Sequence, residues 1–249
     1  MAIRFHQSFA KTLLNGCPAE LLHQLENGGR KATREMDRGS LVDQMVFGGR
    51  NYHTIDADSY RTKAAQQERK AAELRGQIPL LSGDVASLEE AAGRVKAELR
   101  MRGVDLDECT TQRTYIWTAQ DGVECEGTPD IVCPNGTTID LKCGKQASPD
   151  FLARQAWEMC WDVQGAAYQE ATDGNGEHWI VRCGLGDPLL LTVCKMSPYY
   201  MEIGRERLAY AKRLWAACIE TNDWPEWPDT VIDPPNWGVS QWIEGRLGR

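Results

Sequence analysis

The constraint that narrows the fold most is a turn. Pro134-Asn135-Gly136 lies between Ile131-Val132-Cys133 and Thr137-Thr138-Ile139. An Asn-Gly pair between β-branched runs is the strongest short-range signal for a β-hairpin. Alternation along the returning strand puts Asp140 and Lys142 on one face and turns Leu141 toward the core. Asp130, on the outgoing strand near the same end, adds a second carboxylate. Two carboxylates and a lysine suit hydrolysis of a phosphodiester with a hard cation. Mg²⁺ takes oxygen ligands and keeps several waters, so Asp130, Asp140 and the Leu141 carbonyl are candidate ligands. Lys142 is the candidate for orienting or deprotonating the attacking water.

Downstream, Gln164 and Tyr168 stand four apart on a predicted helix and therefore share a face. Ser148-Pro149 supplies its start and Asp173-Gly174 its end. Lys145 and Arg154 are candidate phosphate contacts. Upstream, a predicted helix from about Thr33 to Phe47 carries Arg34, Arg38 and Asp43. Glu124 and Glu126 are within reach of the hairpin, on faces that alternation leaves open.

Pro129-Asp130 followed by Asp140-Leu141-Lys142 resembles the signature of the PD-(D/E)XK nuclease superfamily. Gln164-Gly-Ala-Ala-Tyr168 resembles the Q-x-x-x-Y helix of the RecB-type and Cas4 nucleases. As an ordered set, from about Phe5 to Glu170, the motifs most resemble the RecE-type phage recombination exonucleases. Gly39-Ser-Leu-Val-Asp43 stands where those proteins carry Gly-x-x-x-His, and aspartate is an acceptable hard-metal ligand. The resemblance implies a Mg²⁺-dependent exonuclease, with Mn²⁺ as a possible substitute, digesting one strand of linear duplex DNA 5′ to 3′. It gives Asp43 a part in metal binding and Gln164 and Tyr168 a part in positioning water or phosphate. It further implies duplex DNA ends as substrate, a single-strand annealing protein as partner and a ring-shaped homo-oligomer. An endonuclease, a Cas4-like or RecB-like helper, a DNA-binding module that does not cut, and a structural module with a vestigial site are the alternatives.

The short motifs carry little weight singly. Pro-Asp recurs at 149–150 and 228–229, and Glu68-Arg-Lys70 is another acidic-x-Lys, in a charged helical stretch. Net charge is −8, yet it is unevenly placed: +3 over residues 1–104, −10 over 105–177 and −1 over 178–249. The deficit coincides with the candidate metal site, where divalent ions would offset it. DNA affinity must then come from local patches such as Arg30, Lys31, Arg34 and Arg38. Nine cysteines without a C-x-x-C pair point to reduced thiols and a cytoplasmic protein, and no apolar run is long enough for a membrane. Cys183, Cys194 and Cys218 lack the tight spacing of an iron–sulfur site.

The expected architecture is α/β (α+β): a mixed central sheet flanked by helices, restriction-endonuclease-like, with an N-terminal helical annex. One nuclease domain spans 1–249. Its helical region covers 1–104, its core 105–222 and a Trp/Pro-rich, irregular tail 223–249. Helices are expected at about Tyr60–Arg75, Leu88–Arg102 and from Ser197-Pro198 to near Asn222. Strands are expected at about Gln112–Thr118, Val123–Val132, Thr137–Cys143, His178–Cys183 and Leu189–Lys195.

Overall fold

The computed structural model describes residues 3–28 and 34–247, without the side chains of Arg34, Glu35 and Leu247. The chain opens with β1 (Phe5–His6), α1 (Gln7–Asn15), α2 (Pro18–Asn27) and α3 (Arg34–Val46). Next come β2 (Tyr52–Ile55), α4 (Lys63–Leu74), β3 (Ile78–Leu81) and α5 (Ser82–Met101). The central part holds β4 (Thr110–Thr111), β5 (Tyr115–Thr118), β6 (Glu124–Gly127), β7 (Ile131–Val132) and β8 (Thr138–Gly144). It continues with α6 (Pro149–Glu158), α7 (Trp161–Ala171), β9 (His178–Gly184), β10 (Leu190–Lys195), α8 (Pro198–Thr221) and α9 (Asn236–Leu247).

The main sheet runs β10-β9-β8-β7-β4. Its strands pair antiparallel except β8 with β9, which are parallel and joined through α6 and α7. That is the crossover a parallel pair requires. A three-stranded sheet, β1-β6-β5, and a parallel β2-β3 pair complete the β structure among the described residues. The expected mixed sheet with flanking helices is therefore present.

Alternation along β8 sorts its residues between two cores. Ile139 and Leu141 pack with Leu41, Val42 and Val46 of α3 and Leu88, Val95 and Leu99 of α5. On the other face Ile180, the register partner of Asp140, packs with Val163, Ala166 and Ala167 of α7 and Leu208 of α8. Asp140 and Lys142 thus face α7, and Leu141 faces the core as the pattern requires.

The hairpin forms as read. Ile131 pairs with Ile139 and Val132 with Thr138. Gly136 takes φ +80°, a left-handed turn position that glycine fills without strain. Its N–H donates to the Cys133 carbonyl at 2.9 Å. The Ser197-Pro198 start also holds: Ser197 Oγ accepts from Tyr200 N at 3.1 Å, and left-handed Asn222 closes α8.

Several elements differ from the sequence expectation. The strand expected over Val123–Val132 is two, β6 and β7, in different sheets, because Pro129 has no N–H with which to continue a ladder. The strand expected from Gln112 likewise breaks, with Gln112 at φ +47° between β4 and β5. The single Gln/Tyr helix is α6 plus α7, parted at Cys160, whose φ of +54° no α-helix accommodates. The N-terminal third holds three short strands: β1, which pairs with the distant β6, and β2 and β3, which pair with each other. The tail is not wholly irregular, since α9 occupies Asn236–Leu247.

Candidate active site

β8 carries the centre of the site. Lys142 Nζ lies 2.5 Å from Asp140 Oδ2, so the two side chains share one face as their spacing requires. Asp140 is 2% exposed. Asp130 occupies the crossing between β6 and β7, and its Oδ2 accepts from Leu141 N at 2.8 Å. Within an extended strand a residue's N–H and C=O point to the same side. The Leu141 carbonyl therefore also faces the Asp130 edge.

Asp43 reaches the site from α3, which approaches β8 closely. Gly39, one turn earlier, faces β8: a Cβ there would sit 3.4 Å from Cys143 Cβ, an ordinary contact. Asp43 Oδ1 is buried and has no hydrogen-bond partner.

The three carboxylates and the lysine share one field. Burial first, then the Asp140 charge, push Asp43 up to about 7, with Lys142 opposing. Burial followed by Asp140 also raises Asp130 well above the usual carboxylate range, against the Leu141 hydrogen bond. Burial pulls the Lys142 ammonium down, but Asp140, Asp130 and Asp43 outweigh it and hold the pKa above its ordinary value. As carboxylates the three would carry more buried negative charge than one ammonium balances, and Asp43 and Asp130 accordingly favour their protonated forms in the absence of a cation. Crowded, mutually repelling carboxyl oxygens, with Asp43 Oδ1 left without a partner, are a donor set that fits a hard divalent cation. Among the described residues no three His, Cys, Asp or Glu side chains stand together at metal-binding distance. Asp140 Oδ2 is engaged by Lys142 instead, so binding a cation requires the ammonium to move aside.

α7 adds a hydrogen-bonded brace. Gln164 Nε2 donates to Asp140 Oδ1 at 2.8 Å and to Tyr168 Oη at 2.9 Å, which uses both of its hydrogens. The Tyr168 hydroxyl donates to the Thr128 carbonyl at 3.2 Å and also accepts from Gln7 Nε2 at 3.3 Å. One donor and two acceptor positions are thereby filled. Tyr168 in this arrangement fixes Gln164, and Gln164 fixes Asp140. Burial, then the Asp140 charge, raise the Tyr168 pKa, so the hydroxyl keeps its proton.

α7 can lie this close because residue 165 is glycine. A Cβ there would meet the His178 ring at 2.5–2.6 Å. His178, fully buried at the start of β9, engages Thr138 Oγ1 through Nδ1 at 2.8 Å. Burial lowers its pKa to about 4, with Asp140 raising and Lys142 lowering it, so the ring is neutral.

The other sequence candidates fall outside this cluster. Lys145 and Arg154 are exposed, beyond the end of β8 and on α6. Arg38 is half-buried on α3, with a buried Nε that lacks a partner. The Arg34 side chain, Arg30 and Lys31 lie outside the described residues. Glu126 pairs with Arg4 at 3.4 Å and Glu124 accepts from Thr118 Oγ1. Cys183 lies beside Cys143 on the neighbouring strand, paired in register, and all nine cysteines are free. Gln7 and His178 were not among the sequence candidates. Gln7 meets Tyr168 across 161 positions of sequence and His178 meets Thr138 across 40, separations that no local pattern encodes.

The fold has a known counterpart. A crystal structure of an exonuclease candidate from Eubacterium rectale superposes with a TM-score of 0.65 at 14% identity, covering 93% of this chain and 90% of that one. At that identity the likeness is one of fold. A phage-related exonuclease from Haemophilus somnus aligns over 90% of this chain and 98% of its own, at 13% identity and a TM-score of 0.40. No curated protein sequence matches. The family model described as "PDDEXK-like domain of unknown function (DUF3799)" matches residues 7–227, which include Gln7, Asp43, Asp130, Asp140, Lys142, Gln164 and Tyr168. The chain belongs to this PDDEXK-like family, with the Asp-x-Lys part of the signature on β8, Pro129-Asp130 in the crossing between β6 and β7, and a brace from α7.

Proposed function

We propose that this protein is a Mg²⁺-dependent deoxyribonuclease that degrades one strand of linear duplex DNA from an end, 5′ to 3′. The observation that carries this reading is the convergence of Asp43, Asp130 and Asp140 on Lys142, in a buried site where carboxylates repel one another unless a cation joins them. The Leu141 carbonyl completes the candidate ligand set, and Mn²⁺ is expected to substitute. A bound cation supplies Lewis acidity toward the phosphate and the attacking water.

The chain's own residues do the rest. Gln164 holds Asp140 Oδ1, leaving Oδ2 directed at the Lys142 position. Lys142 is charged while three carboxylates surround it, and loses that support once their charge is neutralised. It can then relay a proton from the attacking water and stabilise the anionic phosphorus centre. Lys145, Arg154, Arg34 and Arg38 are proposed phosphate contacts. The single strand left behind would serve recombination through an annealing partner, and a ring-shaped homo-oligomer would keep the enzyme on its substrate. No helix among the described residues is long and apolar enough to cross a membrane; a cytoplasmic location is part of the proposal.

The test is degradation of linear duplex DNA labelled at the 5′ or 3′ end, beside a closed circle, with and without Mg²⁺. Wild type is compared with Asp140→Ala and Lys142→Ala. Loss of the linear substrate alone, abolished in both variants, supports the reading and gives the polarity. Cutting of the circle would make the protein an endonuclease. No metal-dependent cleavage of either substrate overturns the proposal.

A further inference from the structure

We infer that Gln7 is a positioning residue of this site, acting through Tyr168 and Gln164 on Asp140; the inference rests on the nuclease reading above. Pairing of β1 with β6, Phe5 with Cys125 and His6 with Glu126, fixes the backbone where α1 begins. Phe5, 2% exposed and edge-on to both Phe9 and Trp215, anchors that strand in the core. Gln7 follows at once and places Nε2 3.3 Å from the Tyr168 hydroxyl.

The energetics of the glutamine argue against a purely structural role. Its Oε1 is buried and has no partner. The desolvation cost of such an orphan acceptor is at least as large as the net return of one neutral hydrogen bond. An apolar side chain of the same size would therefore stabilise the fold at least as well. What it would not do is fill the second acceptor position of Tyr168. With Gln7 in place the hydroxyl has three partners, in Thr128, Gln164 and Gln7, and a single orientation. Without it the hydroxyl has a free lone pair, and the Gln164 amide that aims Asp140 loses its fixed neighbour.

The experiment compares wild type, Gln7→Met, Tyr168→Phe and the double variant, measuring kcat and KM on linear duplex DNA with Mg²⁺, and Tm without DNA. Methionine keeps the length and removes the donor. The expected result is a kcat about fivefold lower for Gln7→Met, KM within about twofold of wild type, and Tm unchanged or higher. In the Tyr168→Phe background the same substitution should change kcat by less than about twofold, because its target is gone. A Gln7→Met enzyme with wild-type kcat, effects that multiply in the double variant, or a fall in Tm that parallels the fall in kcat would each overturn the inference while leaving the nuclease reading in place. A wild type without metal-dependent cleavage overturns that reading, and the role of Gln7 with it.

Discussion

The Gln164 amide donates to Asp140 Oδ1 across 2.8 Å, linking the first turn of α7 to the middle of β8. The same nitrogen holds Tyr168 Oη, so the orientation of a buried carboxylate depends on a residue that need not touch substrate. Gln164→Ala is expected to lower kcat by about 10- to 100-fold, the usual effect of removing a partner that orients a metal ligand. Gln164→Glu should be at least as damaging despite its matching shape, since it sets a carboxylate against Asp140. Steady-state kinetics on end-labelled duplex would show both, and a Gln164→Glu enzyme as active as wild type would refute the assignment.

Asp43 gives a prediction of opposite sign for stability and activity. Burial and the Asp140 charge raise its carboxyl to about 7, so at pH 8 the metal-free protein holds a carboxylate that the fold disfavours. Asp43→Asn should raise the metal-free Tm at pH 8 by roughly 2–4 °C, the shift expected for about 1 kcal/mol in a chain of this size. The same variant should lose most of the Tm increase that millimolar Mg²⁺ or Mn²⁺ gives wild type, and EDTA should abolish that increase in both. Thermal melts with and without metal check each half independently.

His178 sets a pH window. The folded ring stays neutral down to about 4, while the unfolded side chain takes up a proton near 6.5. Between those values the unfolded state binds more protons, so stability falls as pH drops through the window, by about 3 kcal/mol when complete. Asp43 works the other way: its folded pKa is raised from 3.8 to about 7, so protonation relieves the folded state as pH falls. The comparison must therefore be between variants. Denaturant unfolding of His178→Gln at pH 7 and pH 4.5 should show a smaller loss than wild type, and equal losses would contradict it.

Arg207 should be the most sensitive position outside the site. Its Nη1 stands 2.9 and 2.8 Å from the two oxygens of Asp162, which is 0% exposed, and its guanidinium lies 4.1 Å from the Trp157 ring centre. Arg207→Ala strands a buried carboxylate and should cost about 3–5 kcal/mol in urea unfolding. Arg207→Ala with Asp162→Ala should recover part of that loss.

What the sequence made legible is what local chemistry determines. Asn135-Gly136 can close little other than a hairpin, and a period of two on the returning strand is enough to join Asp140 to Lys142. Four-residue spacing likewise puts Gln164 and Tyr168 together. Other features depend on partners distant in sequence. β1 and β2 are too short to be recognised without β6 and β3 beside them. The break at Cys160 is met by a residue far away in sequence, Asn15 of α1, which donates to Glu158 O and, more weakly, to Cys160 Sγ across it. Asp43 was found through a resemblance, since on α3 alone it reads as one more polar residue. Gln7 carried no signal at all.

Asp130 belongs to neither sheet: it occupies the short crossing from β6 to β7, where the chain leaves one ladder and enters another. Asp140, in contrast, is fixed within the central strand. The gap between these two carboxylates is therefore set by how the three-stranded sheet is placed against the five-stranded one. Substitutions along the crossing between the sheets, even without contact to either aspartate, would change that spacing and with it the geometry of the proposed site.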